Sequence, residues 1–433
     1  MTTTSSRFAG AFLRRYVCEH VPTIRSGARS LVSSHKSLPQ AQKSLNLCKS
    51  HRDPISAPRS RICRISNTPR SYCTYPPNKS RKMGKKNKGP STPPSSSLIL
   101  PAPPTSKPIV DTHTHLASTF KAYQDRYATR TADVNDLPTQ GKTIETVYDF
   151  ANVMYEGKAV EAIVDVWCEH TQIKSRLWKE YADAALDTPS KWGSMEYHFV
   201  IGIHPHEAKD YDDEVEAILA EAAAHPRCVG LGEMGLDYHY SLSPHDVQQA
   251  VLRRQLELAV KLNKPLTIHT REAEEGTERL LKEIVPKDHK IHIHCFTDSP
   301  EFAKRLLEWF PNLYIGVTGV VTYTTNANTA QVVRELVAEP ESKLRIVLET
   351  DAPYMVPANI YDSVPAIKGK RFPVCHTAMV PWTAQFVANA ITGPPPTEPA
   401  EDAATVDATE PNAWTADRVM VEARENARRL YGV

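Results

Sequence analysis

From Ile109 onward the chain repeats a pattern that few folds satisfy: a short β-branched run, then a longer segment with apolar residues at helical spacing. Strands are expected at 109–114, 162–167, 198–203, 228–232, 265–269, 290–295, 313–317 and 345–349. Between them, segments such as 245–262 place Val247, Val251, Leu252, Leu256, Ala259 and Val260 on one helical face. Strands alternating with helices run parallel, because a crossover helix returns the chain to the same end of the sheet. Eight such units over residues 109–433 are the signature of a (β/α)8 TIM barrel. An open doubly wound sheet is the alternative, but no glycine fingerprint follows the first strand.

Charge divides the chain into two materials. Residues 1–107 hold 20 Lys and Arg against 2 Asp and Glu, which leaves 32 basic and 48 acidic residues in 108–433. The first part is rich in Ser, Thr, Pro and Arg without an apolar period, so a disordered basic tail is expected over 1–107. Its first thirty residues, with Arg7, Arg14, Arg15, Arg25 and Arg29 among Phe8, Phe12, Leu13, Tyr16 and Val17, read either as a mitochondrial transit peptide or as a solvated tail. Met83, ahead of Gly84-Lys85-Lys86, offers a second translation start, so a cytoplasmic or nuclear form is expected, with a mitochondrial form for a chain begun at Met1. The eight cysteines show no CxxC spacing, which fits a reducing compartment. No apolar run approaches the roughly 20 residues of a membrane helix.

Two stretches interrupt the barrel rhythm. Residues 117–143 are polar and turn-rich, and are expected to form a long functional loop. Residues 393–412 are Pro-rich, carry acids and no base, and read as a solvated linker. A last helix from about Thr415 sets Val419, Ala423, Ala427 and Leu430 on one face, which is expected to complete the outer ring of helices.

Polar residues recur where the strands end. His113 and His115 alternate in an extended run and so share a face; Glu233, His269, His294 and Asp351 end the fourth, fifth, sixth and eighth strands. In a parallel barrel all these ends lie on one mouth. Each residue has a structural explanation by itself: Glu233 as a turn acid, His269 as a core histidine, Asp351 as a turn residue before Pro353. Six buried polar groups at one mouth are satisfied together most economically by one or two metal ions. Imidazole with carboxylate suits zinc, manganese or magnesium without choosing among them. Glu233 is assigned as the bridge between two divalent ions about 3.5–4 Å apart, and Asp351 as ligand and proton acceptor, making both catalytic candidates.

The strings DTHTHL (111–116), GIHPH (202–206), GLGEMGLDYH (230–239), TIHTREA (267–273), HIHCFTDS (292–299) and LETDAPYMVP (348–357) resemble the TatD family of metal-dependent deoxyribonucleases, among the amidohydrolase-like barrels. Asn426-Ala427-Arg428-Arg429-Leu430 is similar to the family's closing helix. The resemblance implies a two-metal (β/α)8 barrel that hydrolyses DNA, often as a 3′ to 5′ exonuclease, with the ligand positions on His113, His115, Glu233, His269, His294 and Asp351. His204 and His206 are candidates for a substrate phosphate, against a shaped turn at Pro205, and Arg271 is the best-placed cation for one, against an ion pair with Glu272 or Glu274. His292 reads as a core histidine, and Cys295 as a packed thiol pointing away from His294. After Pro357 the chain departs from the bacterial pattern, and with Tyr323-Thr324-Thr325-Asn326 and 117–143 it resembles a fungal branch whose members are described as mitotic-complex interactors.

Three functions follow as expectations. The first is a nuclease acting on single-stranded or 3′ DNA ends, since the net −16 of residues 108–433 is unsuited to long duplexes. The second is amide or ester hydrolysis, which the same hydroxide chemistry permits; a glutamate in place of a carbamylated lysine at the fourth strand favours the nuclease. The third is an adaptor that binds a protein partner through loops 117–143 and 356–375, although no expected ligand is missing.

Overall fold

The computed structural model describes residues 92–127, 144–339, 342–367, 369–393 and 413–433. Eight strands pair in chain order, each parallel to its neighbour: β1 (Ile109–Thr114), β2 (Val160–Trp167), β3 (Glu196–Ile201), β4 (Cys228–Asp237), β5 (Leu266–Arg271), β6 (Ile291–Ile293), β7 (Leu313–Val317) and β8 (Ile346–Leu348). The seam between β8 and β1 is joined just past the strand ends, where Asp351 N donates to His113 O at 2.9 Å and His115 N to Ala352 O at 2.9 Å. The expected TIM barrel is therefore present.

Around it, among the described residues, lie α1 (Leu116–Tyr127), α2 (Val147–Met154), α3 (His170–Ser175), α4 (Leu177–Ala184), α5 (Asp213–Ala223), α6 (His245–Lys261), α7 (Glu274–Ile284), α8 (Pro300–Trp309), α9 (Asn328–Glu335), α10 (Ile360–Ser363), α11 (Val380–Thr392) and α12 (Ala416–Tyr431). Local chemistry sets several starts: Thr146 and Asp149 form a capping box on α2, Ser299 caps α8 ahead of Pro300, and Thr415 caps α12. Strand alternation makes two layers. Ile163, Phe199, Ile201, Leu231, Ile268 and Ile315 face the helices, while Val110, Ala162, Val164, Val200 and Val347 face the barrel interior. Each fully buried Val, Leu or Ile contributes roughly 1.5–3 kcal/mol.

Four expectations change. The stretch read as a polar loop begins as helix α1, whose Leu116, Thr119, Tyr123 and Tyr127 are buried; its apolar residues at i, i+3 and i+4 outweigh the polar composition, and 128–143 lie outside the described residues. The tail boundary at Lys107 falls inside ordered chain: Leu98 and Leu100 are buried, and His376 Nε2 donates to Leu98 O at 3.0 Å. Two leucines and an isoleucine at 98–100 supply the apolar anchor that the rest of the tail lacks. Within 356–375 the chain forms α10 and buries Phe372, Val374 and Cys375, so that part is packed where a free loop was expected. Residues 394–412 of the linker lie outside the described residues.

The fourth change concerns α12, whose first half packs with α11 in the outer layer through Val419, Met420 and Ala423, as expected, and whose second half does not stay there. Asn426 Nδ2 donates to Leu344 O and Ile346 O at the start of β8, and Arg424 and Arg428 pair with Glu161 at the start of β2. Its end then turns into the interior, where Leu430, Tyr431 and Val433 pack with Val110, Ala162, Val164, Val200 and Val347. The helix thus floors the barrel from the amino-terminal mouth, and Gly432 ends it in the left-handed conformation. Among the described residues no helix is long and apolar enough to cross a membrane.

Candidate metal centre

The six expected ligands meet at the carboxyl-terminal mouth. Two departures from regular pairing aim them, one in β1 between Asp111 and Thr114 and one in β4 between Leu231 and Met234, on either side of His113 and Glu233. Such irregularities turn a side chain away from its regular alternation. Asp351 sits at φ +52°, a left-handed conformation that costs a non-glycine residue about 1–3 kcal/mol and persists where the surroundings fix it. The seam bond to His113 O is one such constraint.

Glu233 is 3% exposed and divides the cluster between its two oxygens. Oε2 lies 3.6 Å from His113 Nε2 and 3.8 Å from His115 Nε2. Those two nitrogens are 3.4 Å apart, and Asp351 Oδ1 is 3.8 and 3.3 Å from them. Oε1 lies 2.9 Å from His269 Nδ1 and 3.4 Å from both His294 Nε2 and His204 Nε2. A tetrahedral cation with bonds of about 2.0–2.1 Å separates its ligands by about 3.3–3.4 Å, so the spacing on the Oε2 side suits a small divalent ion. His113 and His115 directing two ring nitrogens at each other, with a carboxylate oxygen on either hand, is an arrangement that a cation satisfies and hydrogen bonds alone do not.

The ionisation pattern shows the same demand for positive charge. Burial opposes the charge on Glu233, and His294, His204 and His113 overcome it, holding the carboxyl well below its ordinary range. Burial drives His113 down to about 4. Burial also disfavours the charged forms of His115 and His269, but Asp351 and Glu233 beside the first, and Asp237 and Glu233 beside the second, push both up to about 9. A proton on these rings occupies the place that suits a cation.

Outer contacts orient the rings. His115 Nδ1 donates to Val166 O at 3.3 Å, which leaves Nε2 as the lone-pair nitrogen facing the carboxylates. His269 Nε2 is 3.5 Å from Asp237 Oδ2, and His294 Nδ1 is 3.4 Å from Glu349 Oε1. Asp111 accepts from His113 N, Thr350 N, Thr350 Oγ1 and Thr377 Oγ1, joining the seam to the segment before α11. The sequence alone does not single out Asp111, Asp237, Glu349 or Asp165, whose carboxylate accepts from Leu116 N and Tyr197 OH, each at 2.8 Å. The signal was present: each is a carboxylate in an otherwise apolar buried strand or at its immediate end.

The substrate candidates separate. His204 Nδ1 accepts from His206 N at 3.1 Å, so the neutral ring carries its proton on Nε2, and burial, lowering it to about 4, keeps it neutral. His204 is thus a donor aimed into the centre. His206 Nε2 instead lies 2.8 Å from Asp237 Oδ2, which directs its proton at a carboxylate rather than at the mouth. Arg271 does not pair with Glu272, which meets His239, or with Glu274, which meets Ser299 and Arg305; its guanidinium lies over the Tyr240 ring at 4.8 Å. Cys295 departs from the expected outward direction. β6 ends at Ile293 and Cys295 has φ +44°, so strand alternation no longer applies, and its sulfur groups with His294 and Asp351. Burial, with Asp351 and Glu349, holds that thiol well above its ordinary range, which makes it a poor nucleophile.

A parallel barrel with imidazoles and carboxylates gathered at its strand ends defines the class of metal-dependent hydrolase barrels. The profile of the family described as TatD related DNase matches residues 110–432, and the chain belongs to that family. It is 39% identical over 208 residues to the human protein named 3'-5' RNA nuclease TATDN2, covering 48% of this chain and 25% of that one. It is 31% identical over 235 residues to the 3'-5' ssDNA/RNA exonuclease TatD of Pantoea ananatis, covering 54% of this chain and 76% of that one. The chain therefore spans a quarter of the human relative's length and three quarters of the bacterial one's. The crystal structure of a TatD family hydrolase from Entamoeba histolytica superposes with a TM-score of 0.54 at 16% identity, over 75% of this chain and 98% of that one, and shares the fold.

Proposed function

We propose that the protein is a metal-dependent phosphodiesterase that removes nucleotides from single-stranded DNA ends, using two divalent cations with Glu233 between them. The observation that carries this reading is the division of the Glu233 carboxylate: Oε2 faces His113, His115 and, through them, Asp351, while Oε1 faces His269 and His294. When bound, divalent ions supply Lewis acidity to the phosphate oxygens and lower the pKa of a water toward neutrality. Magnesium, manganese and zinc all accept this mixture of donors.

The chain's own groups account for the rest. Asp351 accepts the proton of the attacking water as general base. As the new bond from water oxygen to phosphorus forms, the bond from phosphorus to the sugar oxygen breaks, and the proton taken by Asp351 is returned to that oxygen or to solvent, which restores the carboxylate. His204, whose Nε2 stands 3.4 Å from Glu233 Oε1, steadies that carboxylate, and Arg271, held on Tyr240 and without an ion pair among the described residues, supplies the phosphate contact. A strongly acidic barrel repels long duplexes, whereas a short single strand needs only these local donors. The names of the human and Pantoea relatives point to 3′ ends and admit RNA as well as DNA.

The full chain, with magnesium or manganese, is expected to shorten 3′-labelled single-stranded DNA, and Glu233→Ala and Asp351→Ala to abolish this. Matched RNA and duplex substrates assign the preference. Equal degradation by wild type and both variants would mark a contaminant and overturn the proposal.

A further inference from the structure

The segment after Asp351 carries an exposed aromatic side chain on a turn that is held from several sides. Among the described residues, two of the large exposed hydrophobic side chains are aromatic, Trp309 and Tyr354. Trp309 ends α8, which runs back from the carboxyl-terminal mouth, so it lies at the far end of the barrel. Tyr354 is 47% exposed and stands three residues after Asp351 at the mouth itself, its backbone N–H donating to Asp351 O at 3.0 Å. Around it, Ala352 O accepts from His115 N and Pro353 O from Cys375 N, each at 2.9 Å, and Val356 O accepts from Tyr323 OH at 3.0 Å. Ala358 N donates to Thr322 Oγ1 at 2.7 Å. Met355 is left-handed at φ +57°, and a Cβ on Gly319 would come within 1.9 Å of the Met355 carbonyl oxygen, so a glycine there lets the loop after β7 close against the turn.

The backbone of this turn is thus fixed while its aromatic ring is left in water. Order established before binding removes part of the entropy that a ligand would otherwise have to freeze out. Eight strands in chain order set β4 opposite β8, so the turn of Tyr354 faces Tyr240 and Arg271 across the mouth. Asp351 takes the proton of the attacking water, and an in-line displacement sends the leaving sugar oxygen, with the strand behind it, to the opposite side of phosphorus. The retained strand therefore departs toward Tyr240 and Arg271. The base of the nucleotide being released is the part of the substrate left to meet the wall beside Asp351. Bases at a single-stranded end are unpaired, and an aromatic ring accepts their flat faces whatever the sequence.

We propose that Tyr354 is the platform on which the terminal nucleobase stacks, so that the site grips an end nucleotide by its base as well as by its phosphate. The proposal deepens the nuclease reading and rests on it. It also supplies a reason for single strands that charge does not: a base paired in a duplex has no free face to lay on the ring. Stacking is present before and during the displacement alike, so its loss raises KM and leaves kcat in place.

The test compares a 5′-labelled single-stranded oligonucleotide with the same strand whose 3′-terminal nucleotide lacks its base, reading the first cleavage by the full chain with manganese. Wild type is expected to show a KM about 5–100-fold higher for the abasic end, with kcat changed less than about twofold. Tyr354→Ala is expected to show the raised KM on both ends, and Tyr354→Trp, which keeps a flat ring, to recover the discrimination. The exposed ring predicts equal melting temperatures for wild type and Tyr354→Ala; a merely structural role predicts a lower one, with the abasic penalty kept. Equal KM for the two ends in wild type, or an undiminished abasic penalty in Tyr354→Ala, would overturn the proposal and leave the nuclease reading standing. If wild type cuts neither strand faster than Glu233→Ala does, the nuclease reading itself fails and this proposal falls with it.

Discussion

The two oxygens of Glu233 look onto surroundings that are held in different ways. The Oε2 side is built at the seam of the barrel: His113 and His115 come from the end of β1, Asp351 from the end of β8, and backbone bonds of 2.9 Å tie one strand end to the other. The Oε1 side is built from β5 and the end of β6, and side-chain charges stand behind its rings without hydrogen bonds to them, Asp237 at 3.5 Å from His269 Nε2 and Glu349 at 3.4 Å from His294 Nδ1. Backbone bonds belong to the fold and survive most substitutions. Side-chain supports are each one substitution from removal. The comparison teaches that the Oε2 side is fixed once the barrel closes, and that the Oε1 side is tunable from outside the six clustered residues.

The largest test of this contrast exchanges one ligand on each side. Asp351→Asn and His269→Asn are each expected to lower nuclease activity by about a thousandfold, roughly 4 kcal/mol in the barrier, while each keeps one class of manganese site. Titration decides the matter, since loss of both classes in either variant would mean that the two sides are not separable.

A smaller effect is expected from Asp237→Asn. The charge behind His269 disappears while the volume stays, so affinity at the Oε1 side should fall about 10–100-fold and the Oε2 class should not move. Equal weakening of both classes would erase the distinction between backbone and side-chain support.

The smallest effect concerns the seam. His376 precedes Thr377, which donates to Asp111, and it binds the ordered 92–100 segment through Leu98 O. Burial lowers His376 from 6.5 to about 4. Above pH 6.5 both folded and unfolded forms are neutral and no stability is lost. As pH falls from 6.5 toward 4 the unfolded chain takes up a proton that the folded chain refuses, so stability falls by about 1.4 kcal/mol per pH unit, to a total of ~3 kcal/mol. In His376→Gln, denaturant unfolding between pH 7 and 4.5 should show a slope shallower by about one proton than in wild type. Identical slopes would remove His376 from the account.

Much of this architecture is written locally. The eight β-branched runs place every strand, because parallel strands buried on both faces are apolar along their whole length. β1 and β7 match the expected bounds, whereas β4 runs on to Asp237 because the chain resumes pairing with β5 beyond the irregularity at Glu233. The six clustered residues are legible because strand order alone brings strand ends to one mouth. Two things are not legible. The supports Asp237, Glu349 and Asp111 act through distances between strands that no single segment encodes. The place of α12 is likewise hidden, since an apolar stripe looks the same whether it covers the outside of a barrel or closes its floor. His204 shows the remaining gap: a histidine beside Pro205 is a turn until its Nδ1 is seen accepting from His206 N.

The central claim is that Glu233 stands between two cations. Electron paramagnetic resonance of the full chain titrated with manganese reads this directly, because two ions about 3.5–4 Å apart across one carboxylate couple magnetically. The account predicts that the isolated-ion signal of the first equivalent gives way to an exchange-coupled signal at the second, and that Glu233→Ala never shows it. Saturation at one ion, or two uncoupled ions in wild type, would contradict it.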